Sequence, residues 1–198
     1  VKLDDDDFAL LGLPRRFELD AATLSTRWRE LQSRVHPDRF ASEGPAAQRL
    51  AMQWAVRVNE AHQRLRNPLT RATYLCELAG HSLPGRDGAP VAHDILARQM
   101  HWHETLAEAL SASAVKALDA EVAAQVNNVR EEVRGDLDDR HDARSALPKV
   151  REWMFLARLR AEIERKLEAL EAEHAQSESI ADSLDAGQGP PVRGPVGL

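Results

Sequence analysis

His36-Pro37-Asp38 puts an imidazole beside a carboxylate with a rigid residue between them. Pairs of this kind ligate metals in helical phosphohydrolases. Pro37 has no N–H and a fixed φ, so it cannot continue a helix, and it pushes His36 out of helical conformation. The spacing therefore predicts a stiff loop presenting both groups, neither of them needed for packing. Two further pairs, His93-Asp94 and His141-Asp142, raise the metal question. A catalytic metal needs several ligands converging on an open coordination position. His141-Asp142 falls in a turn rich in Asp and Arg, and His101 and His103 point apart on a helix. No glycine-rich loop followed by Lys-Ser or Lys-Thr is present to cradle a phosphate. The expectation is a protein with no catalytic residue, no metal site and no cofactor of its own.

Cys76 is the only cysteine, which rules out an internal disulfide or a multi-thiolate site and points to a reducing compartment. Beside Leu75 and Leu78 it reads as a buried small hydrophobe. The hydrophobic fraction of 43%, the charged fraction of 29% and the scarcity of aromatics suit a helical protein of one or two domains. A net charge of −6 argues against a general nucleic-acid binder. No apolar run approaches membrane-spanning length. Asp4 to Asp7 carry the wrong sign for a secretory or mitochondrial leader, so a cytoplasmic, bacterial protein is expected.

The elements that must position the tripeptide are helices. A short one begins after the Asp run, whose acids suit the dipole and solubility, and ends at Gly12. Asp20 caps a helix over 21–35 with Leu24, Trp28, Leu31 and Val35 on one face. Arg27 and Arg34, seven apart, share a flank of that face. Pro45 suits the first turn of the next helix, whose expected buried stripe is Leu50, Trp54, Val58, Ala61 and Leu65. Asn67-Pro68 stops it. The two long helices can pack antiparallel, with the tripeptide at their tip and the short first helix against their side. A further segment runs from Pro68 to Ala79 and ends at Gly80. His81 to Pro90 reads as a linker.

Beyond Pro90 only helical patterns occur. Residues 92–111 place Leu96, Met100, His103, Leu106 and Leu110 on one side. Residues 113–134 carry a valine-rich stripe that only tertiary packing can hold helical. Residues 145–174 carry Leu156, Leu159, Ile163, Leu167 and Leu170. The fold class expected is all-α: a helical hairpin joined to a three-helix bundle. Expected boundaries are 1–80 for the hairpin domain, 81–91 for the linker, 92–176 for the bundle and 177–198 for a disordered tail.

The first 80 residues resemble a J-domain, the module that activates chaperone ATPases of the DnaK class. The likeness is carried by Phe8-Ala9-Leu10-Leu11-Gly12-Leu13-Pro14, His36-Pro37-Asp38-Arg39-Phe40, Val58-Asn59-Glu60-Ala61, Leu65-Arg66-Asn67-Pro68 and Arg71-Ala72 followed by Tyr74-Leu75. No Gly/Phe-rich stretch or four-cysteine module follows. Instead Asp94-Ile95-Leu96-Ala97-Arg98-Gln99-Met100 and Phe155-Leu156-Ala157-Arg158-Leu159-Arg160 resemble the first and last bundle helices of the HscB-type iron–sulfur co-chaperones. Ala97 and His101 depart from that pattern. The resemblance implies a J-domain that docks on a DnaK/HscA-class chaperone ATPase and triggers hydrolysis. It also implies a bundle that brings the iron–sulfur scaffold protein to that chaperone. His36, Pro37 and Asp38 would be the trigger, with Arg27, Arg34 and Arg39 facing an acidic partner surface. Leu96, Met100, Glu104 and Phe155 would line the scaffold patch. Two other readings compete: a J-protein for general unfolded clients, and bundle apolars that are merely core. Sequence alone leaves open whether the face of Leu96 and Met100 looks inward or outward.

Overall fold

Cap chemistry decides where each helix starts. The structure, a computed structural model, describes residues 2–40, 42–82 and 93–185, with side chains described for all of these except 93–94 and 177–185. Asp6 accepts hydrogen bonds from the amides of Phe8 and Ala9 and opens α1 (Asp7–Leu10). The Asp20 carboxylate accepts from Thr23 N at 2.7 Å and opens α2 (Ala21–Val35). Pro45 occupies the first position of α3 (Pro45–Arg66). Asn67 accepts from Leu69 N and Thr70 N to start α4 (Pro68–Leu78). Gly80, at φ 82°, adopts the left-handed conformation that lets the chain leave α4. Then follow α5 (His93–Glu108), α6 (Ala112–Arg134) and α7 (Ala143–Asp185). No strand occurs among the described residues, and the all-α class expected from the sequence is what is seen.

α2 and α3 pair along their lengths, and α1 lies against α3. Phe8, Leu10, Leu24, Val58, Ala61 and Leu65 form this first core. The second core lies between α6 and α7, the most extensively packed pair, with α5 at their side. Val115, Val122, Val129 and Val133 of α6 are buried there, so the weak helix formers are held by packing as expected.

Several expectations need correction. Leu50 is not part of the buried stripe of α3: it is 50% exposed, and Ala51 takes the inward position. Of the five residues assigned to one side of 92–111, only Leu106 is buried; α5 turns Trp102 and Leu106 inward, and Ala109 just past its end joins them. The large indole sets the helix's rotation, donating Nε1–H to Glu121 at 2.7 Å. Asp7 is no solvated acid. It is fully buried, paired with Arg57 at 2.7 Å and Arg64 at 2.8 Å. α7 continues past Ser177 to Asp185, so the change in composition at Ser177 does not end it. No Gly or Pro interrupts the chain until Gly187, so nothing there breaks the helix. The rest of the expected tail, and the linker from residue 83 to 91, lie outside the described residues.

Candidate functional site

At the tip of the α2–α3 hairpin, α2 ends at Val35 and a 3-10 turn, Pro37–Phe40, carries the chain across. His36 sits in extended conformation at φ −61° and ψ 128°, as the following proline requires. The Asp38 amide donates to His36 Nδ1 at 3.3 Å, and the Asp38 carboxylate lies 3.6 Å from the same nitrogen. The His36 side chain is 52% exposed and that of Asp38 89% exposed. Neither group serves a core, so the tip presents an imidazole and a carboxylate in fixed relation.

Two guanidinium groups lie at the tip and a third further down α2. Arg34 is exposed just before His36. Arg39 folds back to donate to Ser33 O at 3.3 Å, at the C-terminal end of α2 where positive charge is favourable. Arg27 is exposed midway along α2 and pairs with Glu30 at 3.5 Å. Five of the six residues singled out in the hairpin thus lie at one end of it, and Arg27 stands apart from them.

On the bundle, the orientation left open by sequence is settled: Leu96 is 45% and Met100 57% exposed. Glu104 continues the same face one turn on and is exposed too. Phe155 is partly buried, stacking on Trp102 at 6.5 Å and meeting the ring of His103 edge-on at 5.6 Å. It packs against the bundle core and keeps part of its surface open beside His103.

Sequence reasoning missed what joins the two parts. α6 runs into a π-helical turn, Gly135–Asp139, and His141 at φ 51° reverses the chain into α7. π turns accompany functional geometry because they re-aim side chains. Here the turn directs Asp136 and Asp138 inward. Asp136 is paired with Arg140 and with Lys149, the latter at 2.6 Å. The Asp138 carboxylate accepts from Phe17 N at 2.6 Å and Glu18 N at 2.8 Å, across the boundary between hairpin and bundle. Buried Arg71 of α4 donates to Phe17 O at 2.6 Å and to Leu65 O, and its guanidinium lies over the Phe17 ring. That ring enters the bundle core edge-on to Trp153 at 6.0 Å. Ala72 and Cys76 of α4 join the same core, so α4 packs on α7. Phe17, an aromatic in the segment between α1 and α2 that no helical stripe accounts for, was the sequence signal of this junction.

Cys76 is buried as expected, its thiol pushed up to about 11 by burial and by the charges of Glu77 and Asp136. His141 Nδ1 lies 3.2 Å from Leu137 O and Asp142 caps the start of α7, which accounts for that His-Asp pair structurally. The side chains of His93 and Asp94 lie outside those described. Among the described residues, no group of three or more His, Cys, Asp or Glu is placed to hold a metal ion, and no helix is long and apolar enough to cross a membrane.

A helical hairpin with an exposed His-Pro-Asp tip, joined to a helical bundle, is the architecture of a J-domain co-chaperone with a C-terminal helical domain. Known proteins narrow the class. Residues 91–164 match the family model described as the HSCB C-terminal oligomerisation domain. The chain is 48% identical over 160 residues to the co-chaperone protein HscB homolog of Bordetella petrii, covering 80% of this chain and 94% of that protein. With the homolog of Burkholderia mallei it shares 44% identity over 177 residues, 86% of this chain and 99% of the relative. Chaperone HscB from Vibrio cholerae superposes with a TM-score of 0.72 at 34% identity, over 84% of this chain and 99% of that one. Human co-chaperone protein HscB does so with 0.79 at 28% identity, over 84% of each chain. The chain belongs to the HscB co-chaperone family.

Proposed function

We propose that this co-chaperone stimulates the ATPase of a DnaK/HscA-class chaperone and delivers the iron–sulfur scaffold protein to it, promoting cluster transfer. The observation that carries the reading is the tip. His36 and Asp38 are held in fixed relation, exposed and unused by the fold. Pro37 holds their geometry, and Arg27, Arg34 and Arg39 supply positive charge for an acidic chaperone surface. Charges at an interface rim act chiefly on association rate and salt dependence. The chaperone, not this chain, carries out the hydrolysis. The co-chaperone acts by contacting one of the chaperone's conformations better than the other.

The scaffold's place is the outward face of α5 with Leu96, Met100 and Glu104, together with Phe155. Exposed large apolar side chains side by side favour a partner surface over core. The reaction needs no nucleic acid, no membrane and no cofactor of this chain, and fits a bacterial cytoplasm.

A chaperone ATPase assay with and without the scaffold tests the reading. Synergistic stimulation by co-chaperone and scaffold together is expected. Stimulation indifferent to the scaffold would leave only the J-domain half and favour general unfolded clients. No stimulation at all would refute both halves.

A further inference from the structure

Beside the tip lies a cavity of about 270 Å³ walled by Val35, Phe40, Ala47, Leu50, Ala51 and Trp54, with Glu43 at its edge. Its walls belong to the trigger segment on both sides. Val35 is the residue before His36, and Phe40 closes the turn that begins at Pro37. Leu50 is half exposed although it lies on the apolar side of α3, one turn from half-buried Trp54. A cavity of roughly 150 Å³ already holds a benzene-sized ring. This one has room for a single large apolar side chain.

We infer that the cavity is a binding pocket for one apolar side chain of the chaperone ATPase, seated next to the charged contacts of His36, Asp38 and the flanking arginines. The inference rests on the docking role proposed above for the tip and adds an anchor to it. Continuity carries the assignment: Val35 and Phe40, which line the pocket, bracket His36, Pro37 and Asp38 along the chain, so the pocket adjoins the surface a docked chaperone would cover. The chemistry is complementary to the charged contacts. Exposed ion pairs steer and are screened by salt, whereas a desolvated apolar anchor holds the partner and is not. Interfaces place such anchors inside a polar rim, and exposed Arg34 and Arg39 stand next in the chain to the lining residues Val35 and Phe40.

The test is ATPase stimulation titrated with full-length protein at low and high salt. Ala47→Leu fills the pocket from within, and Leu50→Ser removes its lip at a half-exposed position. Each is expected to raise the concentration for half-maximal stimulation roughly tenfold, as the loss of a buried apolar contact should. The shift is expected to persist at high salt and to leave the maximal stimulation near wild type. His36→Gln, in contrast, abolishes the maximum itself. Thermal midpoints check folding; should Ala47→Leu fail to fold, Leu50→Ser carries the test alone. Unchanged half-maximal concentrations in the folded variants overturn the pocket while leaving the trigger intact. A wild-type protein that gives no stimulation overturns the docking role and the pocket together.

Discussion

His36 and Asp38 show how a residue can matter to function without mattering to the fold. Substitutions at exposed positions away from packing change stability by about 0.5 kcal/mol or less. His36→Gln should therefore leave the thermal midpoint near wild type while removing chaperone ATPase stimulation; retained stimulation would sink the trigger role. Arg34 belongs to the opposite regime of interaction. Its exposed charge should help docking mainly when salt is low, so Arg34→Ala is expected to lose more at about 50 mM salt than at about 200 mM. An equal loss at both would mean a buried contact. Cys76 illustrates burial acting on chemistry. A thiol pushed up to about 11 stays protonated near neutrality, and only the thiolate alkylates. Iodoacetamide at pH 8 should leave the native protein unlabelled and modify it once unfolded, as intact mass would show. The sign for stability follows: the raised thiol contributes fully below its ordinary value of 9.0, and the contribution is lost as pH climbs toward 11.

Within the elements, periodicity located helices well and their rotation less well. Asp20, Pro45 and Pro68 marked the starts of α2, α3 and α4 because capping and proline geometry are local chemistry. The face of α5 was not legible, because Leu96 and Met100 lie on one side and Trp102 on another, and only the neighbouring helices decide which is buried. The α2–α3 pairing has its own signature in His62, which stacks on Trp28 at 4.6 Å. Burial, aided by the charge of Arg66, lowers the pKa of His62, so the folded hairpin prefers the neutral ring. A depressed histidine contributes stability above its ordinary value of 6.5 that is lost as pH falls below it. The wild type should therefore lose thermal stability on acidification relative to His62→Phe, which keeps the stack without the charge. Parallel midpoint curves between pH 7 and 5 would contradict this.

At the level of the whole molecule, the boundary expected at residue 80 is crossed by packing. Phe17, Ala72 and Cys76 come from the hairpin part of the chain and lie in the bundle core. One consequence is a single thermal transition for the whole chain, with Phe17→Ala costing about 3–5 kcal/mol. Two resolved transitions in calorimetry would mean that the bodies unfold independently. Asp138→Ala would strip two amides of their shared acceptor at about 1–3 kcal/mol each where buried, with Asp138→Asn milder because it keeps one carboxamide oxygen. By itself the sequence determined the all-α class, the helix starts and the His-Pro-Asp tip, since each rests on local capping, proline geometry or spacing along one helix. Only the tertiary structure decided that Leu96 and Met100 face outward, that Leu50 borders a pocket, and that Asp138 holds Phe17 across 121 residues of chain. Those features depend on which distant surfaces meet, and a periodic pattern carries no information about its partner.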